Sequence, residues 1–111
     1  DDCYRLENAK LRGTPRRVDA NHHEIVQAFR QLGCPVVDIS AVGDGVPDII
    51  VRHPTIRDMA FLVEIKTPKG KLNKRQMQWH AEWGELIRII RSVDEAIQMV
   101  RDMSGGHGDV G

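Results

Sequence analysis

Glu64 and Lys66 are the two side chains whose type and spacing point most directly to chemistry. They lie two positions apart in a segment where apolar Phe61, Val63 and Ile65 recur at every second residue, which predicts a β-strand. Successive side chains of a strand point to opposite faces, so the carboxylate and the ammonium share one face. An ordinary amphipathic strand with a same-face ion pair has this pattern too, and the spacing alone leaves both interpretations open.

Asp48 supplies a second carboxylate immediately before the apolar run 49–51, which predicts a buried strand. If the two strands pair antiparallel, Asp48 lies near the Glu64–Lys66 end. Two carboxylates in one pocket repel each other, and a divalent cation removes that repulsion. Oxygen ligands suit Mg²⁺ or Mn²⁺. Such a centre, with Lys66 stabilising charge on a phosphate, predicts hydrolysis of phosphodiester bonds.

The elements that must position these side chains follow from hydrophobic periodicity and turn signals. We predict one α/β domain over residues 20–103, in the order α-β-β-β-α-β-α, with a mixed sheet flanked by helices. The segments are helices over 20–32, 73–83 and 92–103, and strands over 35–42, 46–53, 60–67 and 86–90. Residues 1–19 are predicted to form an extended arm, and the glycine-rich residues 104–111 a flexible tail.

Composition limits the function classes. The chain has 111 residues and no net charge, which argues against a protein that coats nucleic acid by charge alone. A local basic run is the exception, and it is either a phosphate-binding surface or a solvated one: Lys66, Lys69, Lys71, Lys74 and Arg75. Two cysteines predict neither a disulfide framework nor a metal site. No apolar run is long enough for a membrane span and no signal peptide is visible, so we expect a cytoplasmic protein.

Two segments also resemble a known family. The run GVPDIIV at 45–51 looks like the first half of the PD-(D/E)XK nuclease motif, and LVEIKTPKGKL at 62–72 looks like the second half. With Gln76, Trp79 and Trp83 after them, they resemble the virus-type replication-repair nuclease (VRR-NUC) branch of that superfamily. The resemblance covers residues 20–100 and implies a restriction-endonuclease-like PD-(D/E)XK core.

The resemblance implies specific roles at the site. Asp48 and Glu64 would hold Mg²⁺ or Mn²⁺ together with the backbone carbonyl of Ile65, and Lys66 would be the catalytic lysine. The basic residues after it would contact DNA: Lys69, Lys71, Lys74 and Arg75.

Two further positions match the family pattern, and each has a structural alternative. Glu24 matches an acid that completes the site and can also be a metal ligand, but it also stands three residues after Asn21, as a capping-box acid does. Gln76 matches a glutamine that positions the lysine or the substrate phosphate, and it stands three residues after Asn73. Both interpretations stay open for both residues; for Gln76 they are compatible only if its side chain reaches inward.

The aromatic and histidine residues nearby are expected to be structural. Trp79 and Trp83 are predicted to lie in the core, because their spacing and the low aromatic content argue against a base-stacking platform. His80 between them is predicted to pack rather than to bind a metal. His22 and His23 point apart on a helix and are predicted to lie at the surface, where one could touch DNA.

The predicted function is a metal-dependent DNA endonuclease. Resemblance to stand-alone prokaryotic members implies a homodimer that cuts branched DNA such as Holliday junctions, in phage or bacterial recombination and repair. A catalytically silent DNA-binding module of the same fold is one alternative, and a nuclease acting on flaps or RNA is another. A degenerate member would have lost an acid or the lysine, whereas Asp48, Glu64 and Lys66 are all present.

Overall fold

The computed structural model describes residues 20–108 and contains seven main elements in the predicted order, with one short 3₁₀ turn. They are helix α1 (His22–Gln31), strands β1 (Val36–Asp38), β2 (Ile49–Arg52) and β3 (Ala60–Ile65), helix α2 (Lys74–Trp83), the 3₁₀ turn (Gly84–Leu86), strand β4 (Ile87–Ile90) and helix α3 (Val93–Gly108). The predicted N-terminal arm at 1–19 lies outside the described residues, as do positions 109–111.

The four strands form one mixed sheet in the order β1-β2-β3-β4. β2 pairs antiparallel with both β1 and β3, whereas β4 pairs with β3 in parallel. A parallel pair needs a crossover connection, and α2 with the 3₁₀ turn supplies it. The α/β class and the mixed sheet flanked by helices are therefore confirmed.

The core lies between one face of the sheet and helices α1 and α3. Apolar side chains at helical spacing on α1, namely Ile25, Ala28 and Phe29, are buried there. They pack against alternate side chains of β2 and β3 and against one face of α3. These strand and helix residues belong to the same buried cluster: Ile49, Val51, Val63, Ile65, Ala96, Met99, Val100 and Met103. This packing fixes which face of β3 carries apolar residues and leaves Glu64 on the other face.

All four strands are shorter than predicted, and the difference is largest for β1 and β2. β1 stops at Asp38, whose carboxylate accepts hydrogen bonds from the backbone amide and the hydroxyl of Ser40 at 2.9 and 2.6 Å. That contact bends the chain into a turn where extended structure was predicted. β2 begins at Ile49, because Asp48 before it lies in a bend.

Helix α3 continues to Gly108, five residues beyond its predicted end at Met103. It therefore takes in part of the segment predicted as a flexible tail. No helix among residues 20–108 combines the length and the apolarity that crossing a membrane requires.

Candidate active site

Asp48 and Glu64 come together at the junction of β2 and β3. The antiparallel register pairs Ile49 with Val63, and one further step in that register brings Asp48 opposite Glu64. Both side chains are buried, with 5% and 2% of their surfaces exposed. The sequence prediction that antiparallel pairing would bring the two carboxylates to one place is confirmed by this register.

Two hydrogen bonds join Asp48 to the residues that flank Glu64 on β3. The Asp48 amide donates to the Val63 carbonyl at 3.0 Å, and the Asp48 carboxylate accepts from the Ile65 amide at 2.8 Å. The residues before and after Glu64 are thus both bonded to Asp48. Because the chain bends at Asp48, its carboxylate, and not a backbone carbonyl, accepts the hydrogen bond from the Ile65 amide. This bond fixes the orientation of the carboxylate.

Gln76 orients the second carboxylate and caps helix α2 at the same time. Its side-chain Nε2 donates to the Glu64 carboxylate at 3.0 Å, while its side-chain Oε1 accepts from the backbone amide of Asn73 at 2.9 Å. The Asn73 side-chain Oδ1 accepts from the backbone amide of Gln76 at 2.9 Å, which completes the capping box. Gln76 is 4% exposed. The predicted capping role is confirmed, and the side chain also reaches inward to Glu64. Its predicted role in positioning the lysine or the substrate phosphate stays a prediction.

Lys66 directly follows β3, and its backbone is tightly held. Its amide donates to the Ile90 carbonyl at 3.1 Å, so the ladder with β4 continues one residue past the end of the strand. The Asn21 side-chain amide donates to the Lys66 carbonyl at 3.1 Å. The Lys66 side chain is half-buried and passes close to Gly70, where a Cβ in place of the glycine hydrogen would lie 3.5 Å from Lys66 Cδ.

Arg91 secures the loop that follows Lys66, a role that sequence patterns did not indicate. Its guanidinium Nη1 donates to the carbonyls of Thr67 and Gly70 at 2.8 and 2.6 Å. The Arg91 carbonyl in turn accepts from Asn21 at 2.8 Å. Helix α1, the loop at 67–70 and the end of β4 are thereby joined around the backbone of Lys66.

Glu24 stands apart from this group. It is exposed on the first turn of α1 and makes no hydrogen bond or ion pair with a residue that the structure describes. The capping box predicted as its alternative role does not form, because the Asn21 side chain makes no cap bond and is turned towards Lys66 and Arg91.

The basic residues predicted to contact DNA are all exposed: Lys69, Lys71, Lys74 and Arg75. Arg75 is also engaged within the protein, since its guanidinium donates to both carboxylate oxygens of Asp44 at 2.9 and 2.8 Å. Next to Asp44, Gly45 has φ +83 and lies so close to α2 that a Cβ would be 2.7 Å from the Arg75 backbone. Only glycine fits there, and the turn before Asp48 therefore packs against the start of α2.

The oxygen donors of the site suit a hard divalent cation. Asp48 and Glu64 are buried on neighbouring segments, and each is oriented by a hydrogen bond from a neighbouring amide. Carboxylate oxygens are the ligands that Mg²⁺ and Mn²⁺ prefer. Within the described part of the chain, no three His, Cys, Asp or Glu side chains are grouped closely enough to hold a metal. A cation here would thus rest on these two carboxylates, and it would need carbonyl or water oxygens to complete its coordination.

The prediction that both α1 histidines lie at the surface is wrong for one of them. His23 is exposed, but His22 is 8% exposed and its Nε2 lies 2.9 Å from the Asp38 carboxylate. Burial would raise the pKa of Asp38, but the hydrogen bonds from Ser40 and His22 outweigh it and leave that pKa below its ordinary value. His22 packs α1 against β1, which adjacent-residue geometry could not reveal.

The prediction that both tryptophans lie in the core is wrong for Trp83, which is 47% exposed. Trp79 is partly buried, and the two rings stack on each other with centroids 5.2 Å apart. His80, which lies between them in the sequence, is partly buried, and this burial lowers the pKa of its imidazole. Both tryptophans line a pocket together with Ile50 and Leu62 of the sheet, so α2 does not cover the sheet completely.

Comparison with known proteins agrees with the fold and with the two motif segments. The family model of the VRR-NUC domain matches residues 13–89, which is more than two thirds of the 111-residue chain. The match includes Asp48, Glu64, Lys66 and Gln76. A search of curated proteins gave no match. The mixed sheet, the buried carboxylate pair and the matched residues lead to one conclusion: the chain belongs to the VRR-NUC domain family.

Proposed function

We propose that this protein is a metal-dependent endonuclease that hydrolyses phosphodiester bonds in DNA. Membership of the VRR-NUC family points to a nuclease. The observation that carries the proposal is the pair of buried carboxylates, Asp48 and Glu64, each oriented by a neighbouring amide and followed closely by Lys66. Two buried carboxylates side by side repel each other and are costly to desolvate, and a bound cation would offset both costs.

Hydrolysis requires a water oxygen to bond to phosphorus while one phosphorus–oxygen ester bond breaks and the leaving oxygen gains a proton. Asp48, Glu64 and the Ile65 carbonyl would hold a divalent cation, which when bound stabilises negative charge on the phosphate. Lys66 would place its ammonium beside the scissile phosphate and stabilise the charge that develops on it. Gln76 would keep the Glu64 carboxylate in position.

Glu24 fits this proposal only as a residue that acts once substrate or metal is bound. It is exposed on α1, whose preceding residue Asn21 bonds to the Lys66 carbonyl. Glu24→Gln would therefore lower turnover without changing the melting temperature. Gln27 on the same helix offers a control, since Gln27→Ala leaves the carboxylate in place.

Branched DNA is the proposed substrate and a homodimer the proposed active form. A domain with one site makes one cut, and two symmetric cuts in a junction need two sites related by a two-fold axis. The exposed lysines after Lys66 would contact phosphates on either arm without reading base sequence. A catalytically silent DNA-binding module is the less favoured alternative, because Asp48, Glu64 and Lys66 are all present.

The first test is a cleavage assay on the full chain. A labelled four-way junction, a plain duplex and a single strand are incubated with Mg²⁺, Mn²⁺ or EDTA. Glu64→Gln removes a negative charge but keeps an acceptor for Gln76, and Glu82→Gln makes the same change at an exposed site on α2. We expect metal-dependent cutting that Glu64→Gln abolishes and Glu82→Gln preserves. Equal cutting by both variants, or none by the folded wild type on any substrate, would overturn the proposal.

The metal requirement is tested separately by calorimetry. Asp48→Asn keeps an oxygen that can accept from the Ile65 amide, so the strand junction stays intact while one charge is lost. We expect Mn²⁺ affinity to fall by at least tenfold, with no change for Asp58→Asn in an exposed turn. An unchanged affinity for Asp48→Asn would remove Asp48 from the proposed metal site.

A further inference from the structure

A groove opens beside the candidate active site, on the sheet face opposite the core. Its volume is about 350 Å³, and all the residues that line it are apolar. We call it the indole groove after its most prominent wall; its lining includes Pro47, Ile50, Leu62, Trp79, Trp83 and Leu86. Ile50 belongs to the apolar run that predicted a buried strand, yet it is only partly buried and lines the groove.

The wall of the groove is a pair of stacked indoles. Trp79 and Trp83 have centroids 5.2 Å apart and planes inclined by 14°. Trp83 is 47% exposed, an unusual situation for the largest apolar side chain in a small domain. Contiguous exposed apolar surface can mark an interaction site or a ligand-binding groove.

The groove and the carboxylates lie on one face of the sheet. Leu62 in the groove and Glu64 in the site are two residues apart on β3, so they share a face and lie roughly 7 Å apart. On the neighbouring segment, Pro47 lines the groove and Asp48 follows it directly. A phosphate held at the carboxylates would therefore have the bases of adjoining nucleotides within reach of the groove.

Helix α2 connects the groove to the rest of the site. Gln76, which holds Glu64, lies one turn before Trp79 and two turns before Trp83 on the same side of the helix. The start of α2 carries an exposed cation at Lys74, next to Arg75, whose guanidinium is paired with Asp44. One helix thus presents positive charge for phosphates at its first turn and aromatic surface in its second half, a combination that matches a nucleotide strand.

We propose that the indole groove binds an unpaired DNA base next to the scissile phosphate, and that it thereby favours substrates containing unpaired bases. This inference rests on the proposed nuclease function and adds a substrate-selecting subsite to it. Stacking on aromatic side chains recognises any base, so the groove selects exposed bases without reading sequence. The proposal departs from the sequence-based expectation that Trp79 and Trp83 form no base-stacking platform.

A second copy of the chain is the competing occupant, and the shape of the groove disfavours it. Its volume of about 350 Å³ lies at the lower end of the roughly 300–1,000 Å³ typical of small-ligand sites. A stable two-fold interface needs a broad surface of about 800 Å² from each partner. A concave cleft beside the carboxylates suits a planar ring better than a flat protein surface.

Binding is measured with the full chain in EDTA, which separates it from cleavage. Two duplexes are compared that differ only by one unpaired base. Trp83→Leu removes the exposed indole, and Met77→Ala is the matched control because Met77 is 51% exposed on the same helix and does not line the groove. The chain has only two tryptophans, so its tryptophan emission reports on the groove directly.

We expect wild type and Met77→Ala to prefer the duplex with the unpaired base, and Trp83→Leu to bind it on the order of 5- to 100-fold more weakly. Tryptophan emission of the wild type should change only with that duplex. The proposal is overturned if Trp83→Leu still prefers the duplex with the unpaired base. If Trp83→Leu also changes the molecular mass of the protein in solution, the groove binds a second copy of the chain and not a DNA base. Metal-dependent cleavage of both duplexes is measured alongside, with Glu64→Gln as the inactive control. If the wild type cleaves neither duplex, the nuclease proposal itself has failed.

Discussion

Replacement of Gln76 by alanine separates the orientation of Glu64 from the capping of helix α2. The side chain makes two bonds that alanine cannot make, one to the Glu64 carboxylate and one to the Asn73 amide. Asn73→Ala is the matched control. It removes only the cap bond that the Gln76 amide donates to the Asn73 side chain, and it leaves the Gln76–Glu64 contact in place.

The two variants should differ in stability. Loss of the Asn73 cap costs about 1 kcal/mol, which lowers the melting temperature of a domain this size by about 4–8 °C. Gln76→Ala leaves Glu64, only 2% exposed, with one hydrogen bond fewer. A bond to a charged group contributes about 1.5–3 kcal/mol, so with the lost half of the capping box the total is about 2–4 kcal/mol. Thermal denaturation followed by circular dichroism measures both values.

The two variants should differ more in function. A residue that orients a metal ligand typically contributes about 10–100-fold in metal affinity or activity. We expect Mn²⁺ affinity and turnover to fall by that factor in Gln76→Ala and to stay near wild type in Asn73→Ala, both measured well below their melting temperatures. The reasoning is refuted if the two variants lose equal activity, or if Gln76→Ala is destabilised but binds Mn²⁺ as the wild type does.

Further predictions concern the lysines, the loop and the pH dependence. Lys66→Ala should abolish cleavage without lowering the melting temperature or DNA affinity, and a large loss of thermal stability would assign Lys66 to structure instead. Lys69→Ala and Lys71→Ala should each reduce the slope of log affinity against log salt by roughly one unit; an unchanged slope would place them away from the DNA. Arg91→Ala should lower kcat with little change in KM, because it frees the loop after Lys66, and Arg91→Lys should restore only part of the rate; a change in KM alone would contradict this. Since the pKa of Asp38 is held below its ordinary value of 3.8, its stabilising effect is present above that value and is lost as the pH falls through the lower folded pKa; Asp38→Asn should therefore weaken the acid dependence of the melting temperature, and an identical acid profile would show that this carboxyl contributes nothing.

Local patterns in the sequence were sufficient for the element order and for the residues of the carboxylate pair. Alternation along β3 placed Glu64 on the face opposite Val63 and Ile65, and helical spacing predicted α1, because both periodicities depend only on local backbone geometry. The capping signal Asn73–Gln76 likewise located the start of α2 to the residue. The boundaries of β1 and α3 were less accurate, and for β1 the reason is that the side-chain bonds between Asp38 and Ser40 end the strand regardless of periodicity.

Tertiary structure alone decided how these parts meet. The bonds from Arg91 to the loop after Lys66 and from Gln76 to Glu64 join residues far apart in sequence, and no spacing rule encodes such contacts. The exposure of Trp83 depends on how much of the sheet α2 covers, which is a property of packing and not of the helix itself. Residue types and spacing thus determined which chemistry this chain can carry, whereas the sheet register and the position of α2 decided that the carboxylates are buried together and that a groove lies beside them, because both depend on contacts between separate elements.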